Sequence, residues 1–330
     1  MRICLIGEYS GNLDEGMRNV TSCLYKELSK KHNVLPLDTK KISLSWLGEI
    51  REFKPEIIHY VHGPSIISLL VMRILARASH NDVKTVMSAT QPRFSFFSRR
   101  FIPLLKPNLI LTQSYNTNGM FKDLGCGTQF LPNGVDIYKF MPIAETIKEQ
   151  LREKYEVDKG KFVVLHIGPI RKKRNIQIFS KIQKIENVQV VFVGSTSMPM
   201  EKDIYKSLKE RGCMIWRSYF PNIEEIYQLS DCYVFPSMEA LSSIEMPLSV
   251  LEAMACNLPV ITTRFGALTR VFDGGNGLFF IKNEEDIFTA LEEIKHGIKI
   301  KTREKVLPYS WKNVVRRLEG IYEELIENKG

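Results

Sequence analysis

The feature that most constrains this chain is a series of short, wholly apolar segments separated by stretches long enough to form a helix. The first series covers residues 3–7, 57–62, 83–89, 109–113 and 129–131. The second series covers residues 162–168, 188–194, 214–220, 232–236, 259–263 and 277–281. Segments that are apolar on both faces are typical of buried parallel strands, whereas half-exposed strands alternate. The sequence therefore predicts an α/β chain in which each series forms one parallel sheet.

The repetition also predicts the domain organisation, because strand, helix and strand in succession give doubly wound layers. At 330 residues, the chain is longer than one typical hydrophobic core requires. We predict two Rossmann-like doubly wound parallel-sheet domains, at 1–142 and 161–310, facing each other across a cleft. A linker would span 143–160, with a charged surface helix at 144–155 and a turn at 158–160. A terminal helix at 311–330 would pack back toward the first domain.

Charge is distributed unevenly along the chain. Residues 1–142 contain 18 Lys and Arg against 11 Asp and Glu, giving +7, while the remainder has 28 against 26, giving +2. A basic first half suggests an anionic partner such as a phosphate or a lipid surface, although solubility alone accounts for it equally well. The cations are not interleaved with aromatic residues as nucleic-acid binding requires, so we expect no nucleic-acid partner.

The cysteines and the termini indicate the compartment. The six cysteines are scattered and form no C-x-x-C pair, which argues against a disulfide scaffold and against a zinc ribbon. This pattern favours a reducing compartment. The first residues lack the apolar core of a secretory signal, and the longest apolar stretch, 66–75, is broken by Arg73. We therefore expect a cytoplasmic protein, with the inner face of the membrane as one location.

Two loops that follow strands carry residues suited to phosphate. The loop at 7–18 contains Gly16 ahead of a helix, although it lacks the G-x-G-x-x-G spacing and also fits a plain βα turn. After Gly168, the residues Arg171, Lys172, Lys173 and Arg174 follow the first strand of the second domain. A guanidinium group can hold two oxygens of a diphosphate at once, so this run suits a diphosphate. The alternative interpretation of the run is a solvated charged turn.

The most informative stretch is 236–263. A strand ends at Pro236, and Pro247 suits the first turn of a helix. The N–H groups of Leu248, Ser249 and Val250 would then face the carboxyl end of the strand. One turn later, the Glu252 carboxylate is placed to accept hydrogen bonds from ribose hydroxyls, unless it only favours the helix dipole.

Several motifs in order give the chain a family resemblance. They are Gly16-Met17-Arg18, Pro132-Asn133-Gly134-Val135-Asp136, Gly168, Pro236-Ser237, Leu251-Glu252-Ala253-Met254-Ala255, Pro259-Val260 and Gly274-Gly275-Asn276-Gly277-Leu278. In this order and spacing, the chain resembles the family-4 retaining glycosyltransferases of group 1, which have the GT-B fold. The resemblance covers most of the chain.

The resemblance implies transfer of a hexosyl group from a nucleotide-diphosphate sugar to a glycan or lipid-linked acceptor, with no cofactor. It places the acceptor on the first domain and the donor on the second. Glu252 would bind the ribose. Gly16, Gly168 and the N–H groups of 248–250 would bind the diphosphate, and a basic pair would neutralise the leaving group. Metal is not implied, because D-x-D is absent and cations can replace magnesium.

The chain departs from the family pattern around the sugar. The residue eight before Glu252 is Ile244, so Glu245 is the expected sugar-facing carboxylate. Pro169 stands where an arginine is usual, which leaves Arg171 and Arg174 as the catalytic cations, with Lys173 beside the donor. These departures affect sugar handling more than nucleotide binding.

Further residues are predicted to line the two pockets. The usual first-domain histidine is absent, so Gln91 and His62 are the acceptor-cleft residues, and Gln91 is excluded from a proton role. His59 alternates with His62, and without a third ligand a structural role is favoured over metal binding. Ile215 and Trp216 would edge the base pocket. The segment 93–106 mixes aromatics with cations and suits either a bilayer surface or a solvated helix.

Two other functions remain open on the same fold. A non-catalytic nucleotide-sugar sensor or partner subunit would explain the displaced glutamate. A nucleotide-sugar 2-epimerase is disfavoured by the E-A-M-A and P-N-G-V-D segments. Nucleotide binding without transfer would identify the sensor.

Overall fold

The structure is a computed structural model that describes residues 1–13, 15–79 and 82–327. The chain divides into two compact units. The first comprises Met1–Gly134, Ile244–Met246 and Trp311–Gly330, and the second comprises Val135–Ser243 and Pro247–Ser310. Each unit has its own sheet.

The first unit is built on a six-stranded sheet whose strands run parallel in the order β2-β1-β3-β4-β5-β6. The strands are β1 (Arg2–Gly7), β2 (Asn33–Asp38), β3 (Ile57–Tyr60), β4 (Lys84–Ala89), β5 (Leu109–Thr112) and β6 (Thr128–Phe130). The strand order reverses between β1 and β3, so ligands of this sheet are expected beyond the carboxyl ends of those two strands.

In the described part of this unit, α-helices connect the strands. They are α1 (Gly16–Leu28), α2 (Ser45–Phe53), α3 (Ile66–Ala78), α4 (Phe96–Arg99), α5 (Ile102–Leu105) and α6 (Tyr115–Asp123). Helix α3 begins at a capping box in which Ser65 and Ser68 satisfy each other's backbone N–H groups. Its buried residues Leu69, Met72 and Leu75 enter the same core as Ile58 and Ile110 of the sheet.

The second unit has a six-stranded parallel sheet in the order β12-β11-β10-β7-β8-β9. The strands are β7 (Phe162–Gly168), β8 (Val188–Gly194), β9 (Met214–Trp216), β10 (Cys232–Phe235), β11 (Val260–Thr263) and β12 (Leu278–Ile281). This is the doubly wound order of a Rossmann sheet, and its reversal falls between β7 and β10.

The helices of the second unit surround this sheet. They are α7 (Glu145–Lys154), α8 (Phe179–Ile182), α9 (Lys202–Glu210), α10 (Ile223–Gln228), α11 (Leu248–Ala255), α12 (Leu268–Val271), α13 (Glu285–Lys295) and α14 (Thr302–Val306). One core packs residues of β8 and β10 against Phe179, Leu208 and Leu291.

The last helix, α15 (Trp311–Glu327), belongs to the first unit and packs against α1. Its Tyr322 hydroxyl lies 2.5 Å from Nδ1 of the fully buried His59, whose Nε2 lies 2.7 Å from the Ser88 hydroxyl. Glu319 of the same helix pairs with Lys31 and His32, each at 3.0 Å. Burial lowers the pKa of His59 to about 3, so its ring is neutral and structural.

The α/β class with two parallel sheets is confirmed, and three local predictions differ from the structure. Strand β2 was not predicted, because Pro36 interrupts it and an edge strand tolerates proline. The predicted linker 143–160 is part of the second unit: α7 agrees with the helix expected at 144–155, but its buried Arg152 bonds Asp231 of that unit at 2.6 Å. The division falls at Gly134 rather than at 142.

The cysteines Cys4, Cys23, Cys126, Cys213, Cys232 and Cys256 are all free thiols. Across residues 1–13, 15–79 and 82–327, no helix is both long enough and apolar enough to cross a membrane.

Replacing Tyr322 by Phe tests the buried contact of α15. The variant loses the hydroxyl that satisfies His59, so we expect the free energy of unfolding to fall by about 1–3 kcal/mol. Chemical denaturation measures this, and Tyr138→Phe, at an exposed tyrosine, is the matched control. Equal stability of the two variants would contradict a structural role for the His59 contact.

Candidate functional site

The candidate site lies in the second unit, at the carboxyl ends of the neighbouring strands β7 and β10, where the strand order reverses. Gly168 ends β7 with a φ of 155°. A Cβ at this position would lie 2.8 Å from Nη1 of Arg174, so the end of the arginine side chain would have to shift. The glycine therefore lets a guanidinium approach the end of the strand.

Arg174 is the unusual group of this edge. It is only 9% exposed, its Cζ lies 5.8 Å from the centre of the Phe235 ring, and its Nε has no partner among the described residues. It also makes no ion pair within the part of the chain that the structure describes. Burial lowers its pKa to about 10, which leaves it charged at neutral pH. A buried, unneutralised cation is costly, so this position favours an anion.

His166 supports the guanidinium from the interior. Its Nδ1–H donates to the Val234 carbonyl at 2.8 Å, and its ring centre lies 4.7 Å from that of Phe192. Burial lowers the pKa of His166 to about 3, so its ring is neutral and adds no positive charge to that of Arg174 and Arg171. His166 is thus a fully buried core histidine whose Nε2 has no hydrogen-bond partner among the described residues.

Helix α11 begins at the same edge. Pro247 is its N-cap and provides no side-chain cap, so the first N–H groups lack an acceptor inside the helix. Val250 differs from the prediction, because its N–H donates to the Pro247 carbonyl at 3.2 Å. Ser249 bonds the Tyr233 hydroxyl, which lies 3.5 Å from the carbonyl oxygen of Ile167 on β7. These contacts bring the start of α11 to the end of β7.

Glu252 lies one turn further into α11. It is partly exposed, and its Oε2 accepts a 2.7 Å hydrogen bond from the Tyr227 hydroxyl. Burial raises the pKa of Glu252 to about 7 and Glu224 adds to the rise, while Tyr227 and Lys139 oppose it. The carboxyl group is therefore close to half ionised at neutral pH and can accept hydrogen bonds from a ligand.

The remaining second-unit predictions are spread around this centre. Arg171 is half-buried, and its Nε donates to the Pro199 carbonyl at 3.3 Å. Lys173 is exposed, 3.9 Å from the Glu239 carboxylate. Those two roles stay predictions.

The predicted base pocket involves β9, at the edge of the sheet. Ile215 packs against the core of the second unit. Trp216 lies in an aromatic cluster, with ring centres 5.8 Å from Tyr155 and 5.7 Å from Phe220. These packing contacts do not test whether the two side chains bind a nucleotide base, so the base pocket stays a prediction.

In the first unit, the predicted acceptor residues follow β3 and β4. His62 is half-buried, and its Nδ1 has no partner among the described residues. Burial lowers the pKa of His62, while Glu15 and Glu8 oppose this shift. Gln91 is buried and accepts a 2.7 Å hydrogen bond from Arg93. An acceptor role for either residue stays a prediction.

The Glu245 side chain is held by donors of the first unit, and its predicted role at the sugar stays a prediction. Its carboxylate accepts hydrogen bonds from the Ser114 N–H at 3.0 Å, from the Ser114 hydroxyl at 2.9 Å and from the Thr117 hydroxyl. These donors lie at the N-terminus of α6, which favours a negative charge. Sugar binding by Glu245 would require these bonds to be exchanged.

Gly16 begins α1, and a Cβ there would lie 3.2 Å from Cδ1 of Ile244. The side chain of Ile244 thus occupies the space that glycine leaves open. Phosphate contact by Gly16 stays a prediction.

Sequence reasoning missed three polar residues. Tyr227 donates a hydrogen bond to Glu252 and lies 25 residues earlier in the sequence. No local motif spacing therefore indicates this pair. Ser237, whose buried Oγ has no partner among the described residues, follows β10 directly, and that position is its signal. The buried Arg18 pairs with Glu8 across the loop at 7–18, where Gly16-Met17-Arg18 is the signal.

Residues 1–13, 15–79 and 82–327 contain no group of three or more His, Cys, Asp or Glu side chains that could hold a metal ion.

Comparison with known proteins places the site in a family context. Residues 161–296 match the family model described as glycosyl transferases group 1. A glycosyltransferase of Methanocaldococcus jannaschii is 25% identical over 73% of this chain and 63% of its own length. The sulfoquinovosyl transferase of Arabidopsis thaliana is 24% identical over 83% of this chain and 58% of its own length. The chain thus spans about three fifths of these relatives.

Solved structures agree in fold. HepE from Anabaena in complex with UDP superposes with a TM-score of 0.77 at 15% identity, over 98% of this chain and 100% of that one. A glycosyltransferase from Rickettsia africae gives 0.74 at 17% identity, over 99% of each chain. The sheet topology and these neighbours give the chain the GT-B fold, and the family match supports a group 1 glycosyltransferase.

The raised pKa of Glu252 predicts a specific pH dependence of stability. Below pH 4.5 the carboxyl group is protonated in both states; between 4.5 and about 7, only the unfolded chain ionises. The free energy of unfolding therefore falls as pH rises through this window.

Glu252→Gln keeps a neutral side chain at every pH and should flatten that fall. Urea denaturation at several pH values between 4.5 and 8 measures it, with the exposed Glu292→Gln as control. If Glu252→Gln and wild type lose stability in parallel, the pKa of Glu252 is not raised.

Proposed function

We propose that the chain is a retaining, family-4 glycosyltransferase. It moves a hexosyl group from a nucleotide-diphosphate sugar to a glycan or lipid-linked acceptor, without a metal. The single observation that carries this proposal is Arg174, a buried guanidinium with no ion pair among the described residues, at the reversal of a Rossmann sheet. A diphosphate supplies the negative charge that this position favours.

The neighbouring groups suit the same ligand. The uncapped start of α11 offers the N–H groups of Leu248 and Ser249 to phosphate oxygens. Glu252 keeps one oxygen for ribose hydroxyls while Tyr227 holds the other. The ligand would thus bind phosphate at the strand ends and ribose one helical turn away.

The same charges would assist the reaction. As the bond from sugar to phosphate breaks, negative charge grows on the departing diphosphate. Arg174, held in place by burial, and Arg171 beside it would stabilise that charge without reorganising. Lys173 remains solvent-exposed and would help attract the donor.

The relatives support the substrate class. Solved structures of HepE are described in complex with UDP and with UDP-glucose. The relative from Acholeplasma laidlawii is described as an alpha-monoglucosyldiacylglycerol synthase and is 24% identical over 60% of this chain. From these relatives we infer a nucleotide-sugar donor and a lipid-linked acceptor for this chain. The acceptor would be reached from the cytoplasmic face of a membrane.

One observation favours the alternative of a non-catalytic nucleotide-sugar-binding protein or partner subunit. The Glu245 carboxylate, expected at the sugar, is bonded to Ser114 and Thr117. Such a protein would bind donor nucleotides without cleaving or transferring the sugar.

A donor screen tests the proposal first. Thermal stability would be measured with UDP, GDP and ADP and with their sugars, in buffer containing EDTA. We expect one nucleotide to raise the melting temperature selectively. Product analysis with that donor then separates transfer from binding alone, and NMR of the product reports whether the anomeric configuration is retained. No stabilisation by any nucleotide would refute the proposal.

Glu252→Ala should weaken nucleotide binding by about 1–3 kcal/mol, or roughly fivefold to 150-fold, because it removes a charge-assisted hydrogen bond. Isothermal titration measures this with the nucleotide found above. Glu292→Ala, at an exposed residue of α13, is the control. Unchanged affinity in Glu252→Ala would show that the ribose lies elsewhere.

Replacing Arg171 and Arg174 together by Gln should lower kcat more than it raises KM, because the charge they meet grows in the transition state. Steady-state kinetics measure the split, and circular dichroism checks that the variant is folded. A rise in KM alone would make both residues simple donor contacts.

A further inference from the structure

Helix α3 carries apolar side chains on its outer face as well as its inner one. Leu69, Met72 and Leu75 are buried in the first unit, whereas Ile67 and Ile74 are 70% and 54% exposed. Leu70, between them in sequence, is also exposed. A helix on the surface of a soluble domain normally presents polar residues to water, so this face is suited to a non-aqueous partner.

A second apolar element lies beside it. Phe97 and Leu104 are 72% and 68% exposed, and Phe101 is exposed between them. The guanidinium of Arg73 on α3 donates to the Leu104 carbonyl, which joins the two elements. We call the exposed side chains of α3, α4, α5 and the turn at 100–101 the α3–α5 surface.

The charge around this surface has one sign. The elements that form it contain Arg73, Arg77, Arg99 and Arg100, with Lys106 directly after α5, and their sequences contain no Asp or Glu. Arg73, Arg77 and Lys106 line a groove of about 400 Å³ between α3 and residues 105–108. The Arg100 guanidinium lies 5.0 Å from the centre of the Phe101 ring.

We propose that the α3–α5 surface docks on an anionic lipid bilayer. The isoleucine, leucine and phenylalanine side chains enter the boundary between headgroups and acyl chains, and the guanidinium groups bind lipid phosphates. The groove lined by Arg73, Arg77 and Lys106 takes one headgroup phosphate. A second copy of the chain fits less well, because self-association would bring like charges together.

This inference gives the proposed membrane contact a defined surface, and it does not require transfer activity. Binding is therefore measured without donor or acceptor. The full chain is floated with phosphatidylcholine vesicles containing either no phosphatidylglycerol or 30 mol % of it, in roughly 0.05 M and 0.5 M salt. We expect binding to the anionic vesicles that weakens at high salt.

Two variants separate the contributions. The apolar variant Ile67→Ser, Ile74→Ser, Phe97→Ser and the charge variant Arg77→Gln, Arg99→Gln, Arg100→Gln should each lower partitioning at least about tenfold. Loss of one cation near an anionic surface costs about fivefold. The controls are Ile42→Ser, Leu44→Ser in exposed residues elsewhere in the first unit, and Lys202→Gln, Lys206→Gln, Lys209→Gln on α9. Thermal denaturation checks that each variant is folded.

The outcomes are distinct. Binding that is lost in both surface variants and kept in both controls supports the proposal. Failure to bind anionic vesicles, equal binding to neutral ones, or equal losses in variants and controls would overturn it. Concentration-dependent dimerisation that disappears in the apolar variant would also overturn it, because the surface would then join two copies. Glu252→Ala should bind vesicles like wild type, so failure of the nucleotide site is separable.

Discussion

Parallel strands have to be buried on both faces, and each needs a helix to return the chain to the starting edge. Every strand of a sheet then ends at the same edge, and the loops that follow are gathered there. In the second unit this constraint brings Gly168, from the end of β7, to the same edge as the loop that follows β10. Residues far apart in the chain thus meet without any special packing.

The same edge concentrates positive charge around a buried cation. His166 is held neutral by burial, and the absence of a side chain at Gly168 leaves room for the guanidinium of Arg174. The start of α11 contributes further positive partial charge without a titratable group. This edge is therefore positive before any ligand arrives, and a bound diphosphate would lower the cost of burying Arg174.

Much of the fold followed from local pattern, because buried parallel strands are apolar throughout. The edge strand β2 did not, since it contains Pro36 and is half-exposed. The start of α11 was predictable from Pro247, and with it the position of Glu252. The partners of Glu245 were not, because Ser114 lies 131 residues away and only the folded chain brings the two together.

The first unit is assembled from both ends of the chain. His59 is made early, but the hydroxyl that completes its hydrogen bonding belongs to Tyr322, 263 residues later. During synthesis on the ribosome, β3 therefore emerges with a polar ring that has no native partner at that position. The ribosome synthesises residues 135–310, which include the whole second unit, before it synthesises α15. The first unit can therefore complete its native fold only after those residues have been made.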